Sequence, residues 1–164
     1  MIIIREYQGD DWPSLWALLQ STFQSGDTYA YAPEATEAEI HSAWVGMPEA
    51  TFVAVTPNDR VVGTFYLKPN QPGLGAHVAN CGYVVAGDVG SQGIATRLCQ
   101  HSQAEATRRG YRAIQFNFVV ATNARAVRLW QHLGFAIVGR VPGAFRHAQL
   151  GYVDVLVMHK ALPV

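Results

Sequence analysis

The segment Gly87-Asp-Val-Gly-Ser-Gln-Gly-Ile-Ala-Thr-Arg-Leu98 is the part of the chain best suited to chemistry. It falls between a β-rich run and a helical one, a position that exposes unpaired N–H groups and the positive end of a helix dipole. Its small residues let an anion approach the main chain closely. Taken alone, the segment fits a phosphate seat and an unliganded strand-to-helix turn equally well. Two familiar phosphate loops are excluded. A nucleoside-triphosphate loop needs Gly-Lys-Ser/Thr at the helix start, but Gly93 is followed by Ile94 and Ala95. A dinucleotide fingerprint needs Gly-x-Gly-x-x-Gly and an acid near the end of the next strand, which here ends Phe118-Val-Val-Ala-Thr122.

His77, Asp88 and Asp154 are candidate general bases, and Glu34 and Glu37 are further carboxylates; each reads as a surface or structural residue as well. The histidines are dispersed, with no His-x-x-x-His pair, so no metal site is expected. Cys81 and Cys99 fall inside a strand and a helix and read as buried thiols. Cys99 also lacks the adjacent histidine that a thiolate nucleophile needs.

The elements that would position these residues follow from periodicity and punctuation. Ile2 to Arg5 is a short strand, and Asp11 to Phe23 a helix with Leu15, Leu18, Leu19 and Phe23 on one face. Gln24 to Thr36 is a loop, and Thr36 to Val45 a helix opened by Thr36 and Glu39. Strands Thr51 to Thr56 and Val61 to Lys68 form a hairpin across residues 57–60. Asn70 to Gly75 is a loop, followed by a strand from Val78 to Val85 and a helix from Gly93 to Arg109, ended by Gly110. Arg112 to Val120 is an apolar strand, Asn123 to Leu133 a short helix, and Gly134 its C-cap. Two last strands, Phe135 to Val141 and Tyr152 to Met158, flank a loop containing Pro142, Gly143, His147 and Gly151. The strand–helix–strand unit from Val78 to Val120 is a right-handed crossover, so its strands run parallel, while the hairpins are antiparallel. The expected fold is α/β: a mixed central sheet of about seven strands with helices on both faces.

A chain of 164 residues with 49% apolar and 15% charged residues fits one globular domain, residues 1–164. Lys plus Arg, at 12, equals Asp plus Glu, at 12, a balance that argues against a nucleic-acid partner. The N-terminal apolar run is too short for a signal peptide and no stretch is long enough for a membrane span, so a cytoplasmic protein is expected.

Two segments in this order resemble the GNAT superfamily of N-acetyltransferases. Its cofactor turn reads Arg/Gln-x-x-Gly-x-Gly/Ala, and Gly93, Ile94 and Ala95 match, with Gly90 a departure at the first place. Asn123-Ala-Arg-Ala126-Val-Arg-Leu-Trp130-Gln-His-Leu-Gly134-Phe135 is similar to the superfamily's Asn-x-x-Ala-x-x-x-Tyr-x-x-x-Gly-Phe helix. The resemblance implies an acetyl-CoA cleft between two splayed parallel strands. The pantetheine arm would pair near Val84 and Val85, and the diphosphate would sit on the amides of Gly90, Ser91, Gln92, Gly93, Ile94, Ala95 and Thr96. Asn123, Ala126 and Trp130 would form the opposite wall, with Arg125 or Arg128 near the phosphates. Asp27, Tyr29 and Tyr31 would sit on the acceptor side, and no metal is implied.

The implied activity is acetyl transfer to a primary amine of a small molecule or amino-acid analogue, by direct attack in a ternary complex. A backbone N–H near Val85 would meet the oxyanion. Asn123 and Tyr83 are the catalytic candidates. Trp130 stands where many relatives carry a tyrosine that protonates the thiolate, and indole is too weak an acid for that task, so Tyr83 or Tyr152 would have to stand in or solvent finish the step. A CoA-binding sensor without catalysis and a binder of another phosphorylated ligand are the alternatives. Exposed edges of the C-terminal strands fit a homodimer.

Overall fold

The structure, a computed structural model, describes residues 1–90 and 92–164. Strands β1 (Ile3–Glu6), β2 (Ala50–Val55), β3 (Val61–Pro69), β4 (Val78–Val85), β5 (Ala113–Val120), β6 (Ala136–His147) and β7 (Gly151–Ala161) form one sheet in the order β1-β2-β3-β4-β5-β7-β6. Helices α1 (Trp12–Gln24) and α2 (Glu37–His41) pack on one face, and α3 (Ile94–Arg108) and α4 (Ala124–His132) on the other. The mixed seven-stranded α/β sheet expected from the sequence is the fold observed.

Each helix is placed by its own pattern. Leu15, Leu19 and Phe23 repeat every four residues along α1 and bury against Val53, Val55 and Tyr66. Thr36 and Glu39 close a capping box at the start of α2, with Glu39 N–H donating to Thr36 Oγ1 at 3.2 Å and Thr36 N–H to Glu39 Oε2 at 3.0 Å. A π turn, Ser42–Gly46, then carries Trp44 into the core, where its indole N–H meets Thr64 Oγ1 at 3.1 Å. On the opposite face Leu98, Cys99, Ser102 and Ala106 are the buried stripe of α3. Asn123 Oδ1 caps α4 by accepting from Ala126 N–H at 3.4 Å.

Every adjacent pair of strands is antiparallel except β4 and β5. Those two are parallel and pair only at Val78 with Ala113 and Ala79 with Ile114. Past that point they separate, while each stays paired to its outer neighbour, β3 or β7. The side chain of Asn80 sits at the fork. Its amide donates to Gln115 C=O at 3.0 Å and its Oδ1 accepts from the Tyr66 hydroxyl at 3.0 Å, so a side chain replaces the ladder where the main chains part. On β5 a bulge between Phe116 and Val119 sharpens the divergence.

The C-terminal hairpin corrects the expected loop. β6 continues through Pro142 and Gly143 to His147, leaving residues 148–150 as the turn. Pro142 is tolerated because β6 is the sheet's edge and its register shifts between Val141 and Phe145. Asp154 of β7 fastens this bulge by accepting from Gly143 N–H at 3.0 Å and from Arg140 at 2.6 Å.

Candidate active site

Between the splayed halves of β4 and β5 lies a cleft of about 1120 Å³. It runs from the turn before α3 to the loop that follows α1.

At the α3 end, Gly90, Gly93, Ile94, Ala95 and Thr96 line the cleft. Gly93 is left-handed, with φ +72°, and caps α3 without a side chain. The first intrahelical bond is Arg97 N–H to Gly93 C=O at 3.0 Å, so the amides of Ile94, Ala95 and Thr96 have no partner within the helix. A Cβ built on Gly90 or Gly93 meets nothing within 4 Å. These positions open onto free space, the requirement for a bulky anion. Gln92 is exposed and does not line the cleft, and Ser91 lies outside the described residues.

The walls also contain the expected residues. Val84 and Val85 line the β4 side, and Asn123, Ala126 and Trp130 the other, with Arg125 and Arg128 alongside. The main-chain groups of Val84 are committed to β3: Ala86 N–H reaches Val62 C=O at 2.9 Å and Asn70 N–H reaches Val78 C=O at 2.8 Å, which sets the even residues of β4 toward β3. Cys81, Tyr83 and Val85 therefore turn their N–H and C=O groups into the gap.

The side chain of Tyr83 faces the core under α3. Its hydroxyl is 2.6 Å from Ser102 Oγ, and its ring packs on Trp130 at 5.0 Å and Phe116 at 5.7 Å. Burial pushes the Tyr83 phenol well above its ordinary pKa, which makes it a poorer acid than free tyrosine. Burial likewise pushes the Cys81 thiol up to about 12 and raises that of Cys99, so both stay protonated and inert as nucleophiles.

At the other end Asp27, Tyr29 and Tyr31 line the cleft, so the loop after α1 and the turn before α3 share one cavity. Asp27 accepts from Ser25 Oγ at 2.7 Å. The ring of Tyr29 lies between Phe23, at 5.4 Å, and Trp44, at 5.9 Å, and its hydroxyl reaches the main chain of Tyr83.

The carboxylates and histidine singled out as bases are not brought here. Asp88 pairs with Arg60 at 2.8 Å, Asp154 with Arg140, and Glu37 accepts from Trp12 at 2.8 Å. None of these three, nor His77 or Glu34, lines the cleft; Asp27 and His132 do. Sequence reasoning missed Tyr66, Lys68, Asn80 and Asn117, which also line the cleft. The Lys68 ammonium lies 5.1 Å from the centre of the Tyr66 ring, and Gly82 leaves room for that ring, since a Cβ there would come within 2.5 Å of it. A lone Asn inside the apolar run Val78–Val85 was the available signal. Among the described residues no cluster of three or more His, Cys, Asp or Glu could hold a metal, and no helix is long and apolar enough to cross a membrane.

The sequence pattern of the Acetyltransferase (GNAT) family matches residues 12–135. The chain belongs to that family. Among its relatives is the N-acetyltransferase aca1 of Schizosaccharomyces pombe, 33% identical over 117 residues, which are 71% of this chain and 56% of that protein. The chain thus spans little more than half the length of that curated relative. A GCN5-related N-acetyltransferase from Kribbella flavida shares 43% identity, with a TM-score of 0.92 over 98% of both chains. The fold also matches a phosphinothricin acetyltransferase from Sinorhizobium meliloti, whose structure is a complex with AcCoA, at 17% identity and TM-score 0.85 over 98% of this chain and 88% of that one.

Proposed function

We propose that the protein transfers an acetyl group from acetyl-CoA to the primary amine of a small molecule or amino-acid analogue, by direct attack in a ternary complex. The observation that carries this reading is the continuity of the cleft. Amides with no partner within α3 open one end, gap-facing main chain of β4 forms the side, and an aromatic loop closes the other.

The residues present fit the coenzyme. The amides of Ile94, Ala95 and Thr96 suit a diphosphate, the space over Gly90 and Gly93 admits it, and Arg125 and Arg128 lie on the same wall. The coenzyme supplies an activated thioester. The amine nitrogen forms a bond to the acetyl carbon, the carbon–sulfur bond breaks, and the sulfur leaves as thiolate while the nitrogen loses a proton. Holding both reactants in one cleft supplies much of the rate. A gap-facing N–H of β4 stabilises the oxyanion.

A lysine-like amine has a pKa of about 10.4, so it must shed a proton before attack. Water at the acceptor end, beside the Asp27 carboxylate, is the route we assign. A thiol pKa of about 8.5 makes thiolate a tolerable leaving group, and we assign no dedicated acid. Asn123 then acts through its cap on α4, as a positioning residue for the Trp130 wall. The exposed edge of β6, with Ile137, Val138 and Val141, supports a homodimer.

A CoA-binding module without catalysis is the second reading, favoured by the indole of Trp130 where the family resemblance implies an acid. Release of free thiol from acetyl-CoA across a panel of small amines separates the two. Turnover with at least one amine is expected; acetyl-CoA binding with no thiol release from any acceptor selects the second reading. Acetyl-CoA at a hundredfold excess over Kd adds about 2.7 kcal/mol, a rise in Tm of about 5–10 °C at this size. A shift with other phosphorylated compounds and none with acetyl-CoA rejects both.

A further inference from the structure

The hydroxyl of Tyr29 accepts a hydrogen bond from Tyr83 N–H at 2.7 Å and donates one to Tyr83 C=O at 2.5 Å. A side chain from the loop after α1 thus takes both edge groups of one residue in the middle of β4, as a neighbouring strand would. The contact is built rather than incidental. The Tyr29 ring is held by Phe23 and Trp44, runs nearly parallel to Tyr31 at 6.4 Å, and its loop is tied to the C-terminal hairpin by Ala148 N–H to Gly26 C=O at 3.0 Å. Burial keeps the phenol neutral, so it arrives as a hydrogen-bonding group and never as a charge.

The position on β4 gives the contact its meaning. The diphosphate seat lies beyond the C-terminal end of β4, so an extended arm entering from there meets the gap-facing residues in the order Val85, then Tyr83. Val85 offers the first donor and acceptor, suited to an amide of the arm. Tyr83 N–H is the next donor along the gap, where the thioester carbonyl would fall. We propose that the Tyr29 hydroxyl, seated on the Tyr83 main chain, occupies the place of the acyl carbonyl until acetyl-CoA displaces it. Binding of the acyl group therefore releases the loop carrying Asp27, Tyr29 and Tyr31, which couples arrival of the thioester to remodelling of the acceptor side. This inference rests on the acetyl-CoA reading above.

The test compares acetyl-CoA with CoA, which lacks the thioester carbonyl and so has no need to displace Tyr29. Affinities of both are measured by calorimetry for the wild type and for Tyr29→Phe, which keeps the ring and deletes the plug. The preference for acetyl-CoA over CoA is expected to rise about tenfold in the variant, the net worth of the bonds no longer broken, with CoA affinity unchanged. An unchanged preference, or an equal shift for both ligands, overturns the proposal and leaves the acetyltransferase reading standing. Failure of both ligands to bind the wild type overturns the two together. A second measurement needs no variant: NMR signals of the Tyr29 ring should move on adding acetyl-CoA and stay on adding CoA. Movement with both, or with neither, again overturns the displacement.

Discussion

Replacing Gly93 tests the anion seat through one charge. An L residue at φ +72° is strained, and Asn and Asp tolerate that region best, so Gly93→Asn and Gly93→Asp carry nearly the same backbone cost of about 1 kcal/mol. Neither side chain is crowded, because a Cβ at this position meets nothing within 4 Å. Both variants should fold, with Tm lowered by about 2–4 °C, and the aspartate recovers about 0.3–1 kcal/mol from the dipole of α3. Binding should respond in the opposite sense. A carboxylate about 4 Å from a unit negative charge is repelled by about 1 kcal/mol even at the dielectric of water, and by about 4 kcal/mol at an effective dielectric near 20. Two diphosphate charges thus cost at least about 2 kcal/mol, a factor of about thirty in Kd. Calorimetric titration of the pair with acetyl-CoA should show Gly93→Asp at least about thirtyfold weaker than Gly93→Asn. The gap should narrow as added salt shortens the screening length. Equal affinities for the two variants, in proteins of equal stability, would place the diphosphate elsewhere and remove the basis of the functional reading.

Tyr83→Phe should keep kcat within about tenfold, because the phenol is spent on Ser102 and is too weak an acid to serve; a fall of 10²- to 10⁴-fold would restore it as the general acid. Asn80→Ala strips partners from Gln115 C=O and the Tyr66 hydroxyl, and should lower stability by about 2–4 kcal/mol in chemical denaturation; a loss under about 1 kcal/mol would show that the fork holds without it. Asp11 is buried and accepts from both Nη1 and Nη2 of Arg5, at 2.8 and 2.9 Å, and that guanidinium holds its carboxyl below the usual range. A depressed pKa contributes stability above the ordinary carboxylate value of about 3.9, and the contribution is lost as pH falls through the folded value. Asp11→Asn should therefore be less stable at neutral pH, with a shallower loss below about pH 4. An unchanged acid limb would assign that loss to other carboxylates.

What could be read in advance, and what could not, divides along the distance over which each feature is determined. The bounds of β4 and the starts of α3 and α4 were legible because Val78–Val85, Gly93 and Asn123 act on their own neighbours in sequence. Pro142 and Gly143 read locally as a loop, yet Asp154 on the paired strand reaches Gly143 N–H and keeps the segment in the sheet. The end of the cleft beside the loop after α1 depends on contacts of that second kind. Tyr29 meets a residue 54 positions away, and Asn80 reaches one 35 positions away. The candidate bases were misplaced for the same reason, since Arg60 and Arg140 claim Asp88 and Asp154 only once β3, β6 and β7 are assembled.

A deeper cause lies in the kind of group the cleft presents. Its donors at Ile94, Ala95, Thr96 and Val85 are main-chain amides, which every residue but proline possesses, so no side-chain type announces them. They become a site only where pairing is withheld. The residues that withhold it are the informative ones: Gly93 leaves the helix start without a side-chain cap, Asn80 replaces the ladder at the fork, and the bulge at Phe116 to Val119 turns β5 away. In such a protein a substitution that restores pairing across the gap should be more damaging to binding than the loss of any one charged side chain lining it.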